Sequence, residues 1–348
     1  MKKYILSLFV LATLLSCSKS EQKDEYTLTE LQYASDINLN VLNEAIESDP
    51  ENDVLYYKRA RYFYQTGAFK NAENDISKAL RLETSKNSYW LQSAQILLEL
   101  NQIDKALNDG LKAEQLGSKD PNLYILLAEC YLEKNDKSSA DNYLFKVKSI
   151  APHLSEIPFL EGLRLLQVGD TLQAKQRIKE SIRLNNDNID SYIVLMKLYY
   201  VSKNYDSIMP LLIKAKRVRP HAAELFLYEG KFYESISRMP LAKIAYQEGI
   251  LCDPNEVSLY LPLSDIYAKE SNYKDAMLYL TKWLDKNPND KKIMEKLGQY
   301  SVKNEDLAGA ITYYKTLYQL DTNQVQIKKE IDLLQKQLLK QQDTSLHK

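Results

Sequence analysis

Glycine and proline are scarce in this chain, with 9 and 10 residues among 348, and histidine and cysteine are scarcer still, with 3 each. Each shortage excludes something. There is no glycine-rich phosphate loop and no G-x-S-x-G nucleophile turn. His153, His221 and His347 have no partner carboxylate at ligand spacing, and Cys130 and Cys252 form no close pair. Neither a metal site nor a disulfide framework is therefore indicated. An excess of one charge is also missing. Forty-six basic residues meet 47 acidic ones, for a net charge of −1, so no global field favours nucleic acid. The apolar run from Tyr4 to Leu15 falls well short of the roughly 20 residues that span a bilayer as a helix. No enzyme, catalytic residue, cofactor or small-molecule substrate is expected.

What the chain does have is Leu, Tyr, Lys and Glu, a helical composition, and a period. An Ala, a large apolar residue four later and a small or apolar residue three beyond that recur as Ala72-Ile76-Ala79 and Ala106-Gly110-Ala113. The series continues through Ala140-Leu144-Val147, Ala174-Ile178-Ser181, Ile208-Leu212-Ala215, Ala242-Tyr246-Gly249, Ala276-Leu280-Trp283 and Ala310-Tyr314-Leu317. Every step equals the first, from Ala72 to Ala106, with no insertion or deletion, and Pro152, Pro220, Pro254 and Pro288 follow at a fixed offset. Upstream in most units a bulky residue (Tyr56, Trp90, Tyr124, Tyr192, Phe226, Tyr260) or a small one four later (Ala60, Ala94, Ala128, Gly162, Gly230, Ser264, Gly298) recurs. The spacings of three and four predict two amphipathic helices per unit, with turns at Gly67, Asn101, Asn135 and Gly169.

This pattern resembles the tetratricopeptide repeat (TPR), whose unit is about 34 residues long. It implies an all-α fold, a TPR α-solenoid in which antiparallel helix pairs stack as a right-handed superhelix. Eight units are read at 53–86, 87–120, 121–154, 155–188, 189–222, 223–256, 257–290 and 291–324. Residues 27–52 read as a degenerate starting repeat. Ile327, Ile331, Leu334 and Leu338 form one apolar stripe that predicts a capping helix over 325–342, ahead of a tail at 343–348. One such unit cannot bury its own face, so neighbours must stack.

The N-terminus carries a second resemblance. Met1-Lys2-Lys3, the short apolar run and Leu14-Leu15-Ser16-Cys17 have the layout of a secretory signal ending in a lipobox. The chain thus resembles TPR lipoproteins of Gram-negative bacteria. The resemblance implies a signal peptide at 1–16, acylation (palmitate) of Cys17, and a lipidated tether at 17–26. Two or more acyl chains anchor stably where one does not. Ser18 in place of an aspartate implies an outer-membrane anchor, on either the periplasmic face or the cell surface.

In the TPR family the first helix of each pair lines a concave groove. Position 5 of the units reads Tyr57, Leu91, Ile125, Phe159 and Ile193; position 12 reads Tyr64, Leu98, Leu132, Leu166 and Tyr200. With Arg61, these residues predict a groove for an extended peptide or a helix of a protein partner. A membrane-tethered interaction scaffold is the function this implies, in secretion, motility or cell-wall machinery. A glycan-binding uptake lipoprotein and a self-associating solenoid are the alternatives. Two basic clusters stand out, Lys58–Arg61 and Lys214–Arg219. The second falls on a second helix of a pair and reads as a solvated face rather than an anionic-lipid or polymer site.

Overall fold

The computed structural model describes residues 39–346, and every regular element among them is helical. Cys17, the signal peptide, the tether and the first part of the starting repeat, up to residue 38, lie outside the described residues. The chain divides into two compact units, the first ending at Ser118 and the second beginning at Lys119.

In the first unit residues 39–48 are helical, followed by α1 (Asp53–Gln65), α2 (Phe69–Leu82), α3 (Asn87–Glu99) and α4 (Ile103–Gln115). The second unit contains α5 (Pro121–Glu133), α6 (Lys137–Ile150), α7 (Glu156–Leu166), α8 (Thr171–Leu184) and α9 (Ile189–Val201). It continues with α10 (Ile208–Val218), α11 (Ala223–Ser235), α12 (Met239–Cys252), α13 (Val257–Lys269), α14 (Tyr273–Lys286), α15 (Lys291–Lys303), α16 (Leu307–Leu320) and α17 (Val325–Leu346). The odd-numbered helices up to α15 are the first members of their pairs (helix A), and the even-numbered ones are helix B. The all-helical TPR-type fold expected from the period is the fold observed.

The turn inside each pair repeats with the sequence. Gly67, Asn101, Asn135, Gly169, Lys203, Ser237, Ser271 and Glu305 all have φ between +55° and +82°. In each turn the following amide donates to the carbonyl five residues back, from Ala68 to Phe63 (2.8 Å) through Asp306 to Ser301 (2.9 Å). This is the Schellman closure, which satisfies carbonyls that the helix end would otherwise orphan. Only four of these residues are the Gly or Asn that favour left-handed backbone. The other four, Lys203, Ser237, Ser271 and Glu305, are held there by the packing of the pair, and no residue-type signal announced them.

Inside most pairs a small residue on helix A meets a large one on helix B; in repeat 2 both are small, Ala94 and Gly110. A Cβ added at Gly230 would lie 2.2 Å from Cε1 of Tyr246, and one at Gly298 would lie 2.4 Å from Cε1 of Tyr314. Repeat 5 departs from this rule. Its helix A carries Met196 at the small position, fully buried in one core with Ile208, which replaces the usual Ala of helix B. Its helix B is also short, because Tyr205–Ser207 form a 3₁₀ turn before α10 begins.

The apolar stripe of α17 caps the stack: Ile331 and Leu334 are buried against Ile311, Tyr314 and Leu317. The helix itself runs on to Leu346, past the predicted end at 342, so residues 343–346 are helix rather than tail. The polar sequence there contains no Gly or Pro to stop it.

Candidate functional site

A second contact within the pairs links helix A to helix B at one fixed spacing. In repeat 1 Arg59 donates to both Asp75 oxygens at 2.7 Å, and its third contact is Asn43 Oδ1 at 2.8 Å. In repeat 2 the same slot holds Ser93, which donates to Asp109 at 2.6 Å. In repeat 4 the charges are exchanged, with Arg177 on helix B and Glu161 on helix A at 3.3 Å. In repeat 5 the slot holds Leu195 and Leu211. Within the cluster Lys58–Arg61, Arg59 is thereby committed to the fold. The Asp75 carboxylate raises its pKa above the usual guanidinium range. Burial raises the Asp109 carboxyl against the opposing effect of the Ser93 hydrogen bond.

The predicted groove residues divide into three groups. Leu91 and Leu132 are buried, at 9% and 4% exposure, and are core. Their neighbours cover them, so they offer no surface to a partner. This corrects the expectation that Leu91 and Leu132 belong to the partner-binding groove. Leu98, Leu166 and Ile193 are half-buried, and Ile193 packs on the core that contains Met196. Tyr57, Tyr64 and Tyr200 are half-buried as well and pack against core clusters, while Arg61, Ile125 and Phe159 line clefts.

In the first unit Tyr57 stacks on Tyr89 with ring centroids 4.5 Å apart, and the Arg61 guanidinium lies 5.9 Å from the Tyr57 ring. Arg61 also lines a shallow cleft with Val41, Leu42 and Tyr62. Tyr64 packs edge-on against Phe69 and lies 3.4 Å from Glu99 through its hydroxyl.

In the second unit Ile125 and Phe159, one repeat apart in sequence, line a single cleft of about 290 Å³. Glu129, Glu156, Asp187 and Asp190 line it as well, together with one cation, Arg219. Two local causes place three of these acids. Glu156 and Asp190 occupy the first turns of α7 and α9, where the helix dipole favours negative charge. Asp187 belongs to the turn held open by the Asn188 cap, whose side chain accepts from Ser191 N. The cleft therefore pairs an apolar floor with an acidic rim.

One residue of this face escaped the sequence reading. Lys231, on α11, lies 5.0 Å from the Tyr200 ring and 5.3 Å from that of Tyr228. Burial lowers its pKa from the ordinary lysine value. It occupies the same repeat position as Arg61, and that register was the available signal. Cys130 is buried, and burial pushes its thiol up to about 12, so it stays protonated and inert.

A family model for ChAPs (Chs5p-Arf1p-binding proteins) matches residues 109–348. The chain belongs to that family. The similar proteins are distant in sequence. Bovine DnaJ homolog subfamily C member 3 is 22% identical over 341 residues, covering 87% of this chain and 66% of that protein. This chain thus spans somewhat less than two thirds of that relative. The TPR repeat-containing protein MJ1428 of Methanocaldococcus jannaschii is 26% identical over 192 residues, which is 52% of this chain and 34% of that protein. Among solved structures, a chain of the APC/C Cut9–Hcn1 hetero-tetramer superposes with a TM-score of 0.59 at 17% identity, covering 88% of this ChAPs-family chain and 59% of that one. That likeness establishes the fold.

Proposed function

We propose that this chain is a lipid-tethered protein–protein scaffold that acts by binding rather than catalysis. The observation that carries the reading is the cleft in which Ile125 and Phe159 meet under an acidic rim. It fits a helix or extended segment that presents one apolar side chain flanked by Lys or Arg: the apolar side chain seats on Phe159, and the cations meet Glu156 and Asp190. Membership of a family described as Arf1p-binding supports a folded protein as the source of that segment. The tether is Cys17. The Leu14–Cys17 sequence and the polar stretch after it support acylation there and attachment to an outer membrane, in service of an envelope process.

A photo-crosslinker at position 159 tests the binding face. A discrete adduct that disappears with Ile125→Glu, at unchanged helical content, is the expected result; an adduct indifferent to Ile125→Glu would overturn the cleft model. Labelling with a palmitate analogue tests the tether separately. Label and membrane association should both vanish in Cys17→Ala, and membrane association that persists without label would refute it.

A further inference from the structure

The second helices of repeats 4 and 5 carry a cleft of a different kind. Lys179 and Arg183 on α8 and Lys214 and Arg217 on α10 line one opening of about 920 Å³, floored in part by Tyr192, with Asp187 at its edge. We infer that this cleft is a binding site for a phosphate-bearing ligand. The inference goes beyond the scaffold reading and does not depend on it.

Three observations carry it. First, cations a turn away are neutralised within the fold, whereas these four are not. Arg177 pairs with Glu161 and Glu180, at 3.3 and 2.9 Å, and Lys216 pairs with Glu229. Lys179, Arg183, Lys214 and Arg217 have no ion pair among the described residues; Lys179 only approaches the Tyr199 ring, at 5.8 Å. Like charges three and four residues apart on one helix face repel one another, so the arrangement costs stability until an anion enters.

Second, the repeat supplies its own control. The register of Arg183 and Arg217 holds Ser149 in the repeat before and Leu251 in the repeat after. The register of Lys214 holds Glu180 and Glu248 on either side, although Lys78, Lys112, Lys146 and Lys282 share it in other repeats. Arg81 shares the arginine register in repeat 1, but successive repeats both carry arginine there only in α8 and α10, where the four cations line one cleft.

Third, the opening lies beside a repeat whose helix pair departs from the small-against-large rule. Met196 and Ile208 separate α9 from a helix B that is shortened by its 3₁₀ start. Two arginines with planar forks and two lysines as point charges suit phosphate oxygens, and their four charges outweigh the single carboxylate of Asp187.

Calorimetry of the full chain with inorganic pyrophosphate tests the site, alongside flotation with phosphatidylcholine vesicles that contain or lack phosphatidic acid, in a Cys17→Ser background so that no acyl chain contributes. Arg183→Glu with Arg217→Glu should weaken binding at least tenfold. Lys269→Glu with Lys274→Glu, which makes the same change in net charge at exposed positions of another repeat, should leave it within about twofold. Binding of pyrophosphate without vesicle capture identifies a free phosphate ligand; capture that requires phosphatidic acid identifies a headgroup. Both results support the site. Equal losses in the two double variants, or no binding to either probe, would overturn it.

Discussion

Repeats 5 and 6 solve one packing problem in opposite ways. In repeat 6 helix A thins to Gly230 so that the Tyr246 ring of helix B can lie against its backbone. In repeat 5 both sides are bulky, Met196 facing a core shared with Ile208 and Leu212. The two repeats have the same length and the same Schellman turn, at Lys203 and Ser237. Backbone periodicity is thus indifferent to how the interior is filled, whereas the surface beside each pair is not. The basic cleft opens next to the bulky pair.

Either packing solution can be attacked at its key residue. Met196→Ala should cost about 4 kcal/mol, because a fully buried side chain leaves a cavity that the 3₁₀-started helix has little freedom to close. Gly230→Ala should cost about 3 kcal/mol by overpacking against the Tyr246 ring. Chemical denaturation of the two variants measures both, and a neutral Gly230→Ala would show that Tyr246 swings away.

The slot that Arg59 and Asp75 occupy in repeat 1 adds to the contrast, since repeats 5 and 6 lack the ion pair. Asp75→Asn should cost about 2 kcal/mol, because the Arg59 guanidinium is left partly buried without its counter-charge. Glu161→Gln in the more exposed pair of repeat 4 should cost no more than about 0.5 kcal/mol. Denaturation midpoints of the two variants, compared at constant slope, check the ordering.

In repeat 2 the effect is one of pH. Burial raises the folded-state pKa of Asp109 above its ordinary value near 3.8, so the stability it contributes is full below that value and is lost as pH rises through the folded-state pKa. Asp109→Asn, which still accepts from Ser93, should flatten that loss in thermal melts taken upward from about pH 4. Parallel curves for the two proteins would exclude Asp109 as its source. The smallest effect belongs to the turns. Glu305→Gly should gain about 0.5 kcal/mol, since glycine relieves the left-handed strain but adds unfolded-state entropy.

Much of this was legible in advance, for identifiable reasons. The small residues and the fixed spacing of three and four report helix contacts within one pair, which are local in sequence. Gly67 and Gly169 reported their turns through residue type alone. Lys203 and Glu305 could not, because nothing about lysine favours a φ of +55° and nothing about glutamate favours one of +60°. The candidate site was only partly visible. Ile125 and Phe159 were found through their register, while Glu156, Asp190 and Asp187 beside them come from helix starts and a turn, and Lys231 is set apart only by the rings of Tyr200 and Tyr228. The cluster Lys58–Arg61 read as one basic patch until Arg59 was seen bound to Asp75.

Spacings inside a single repeat are enough to set the period, the helical class, the eight helix pairs and the side chains that meet inside each pair. Which members of an equivalent series are covered is settled only when the repeats pack. Leu91 and Ile125 share a register, yet one is buried and the other lines a cleft; Arg217 and Lys216 are adjacent, yet only Lys216 is neutralised. Exposure and pairing depend on side chains contributed by neighbouring repeats, and no single repeat contains them.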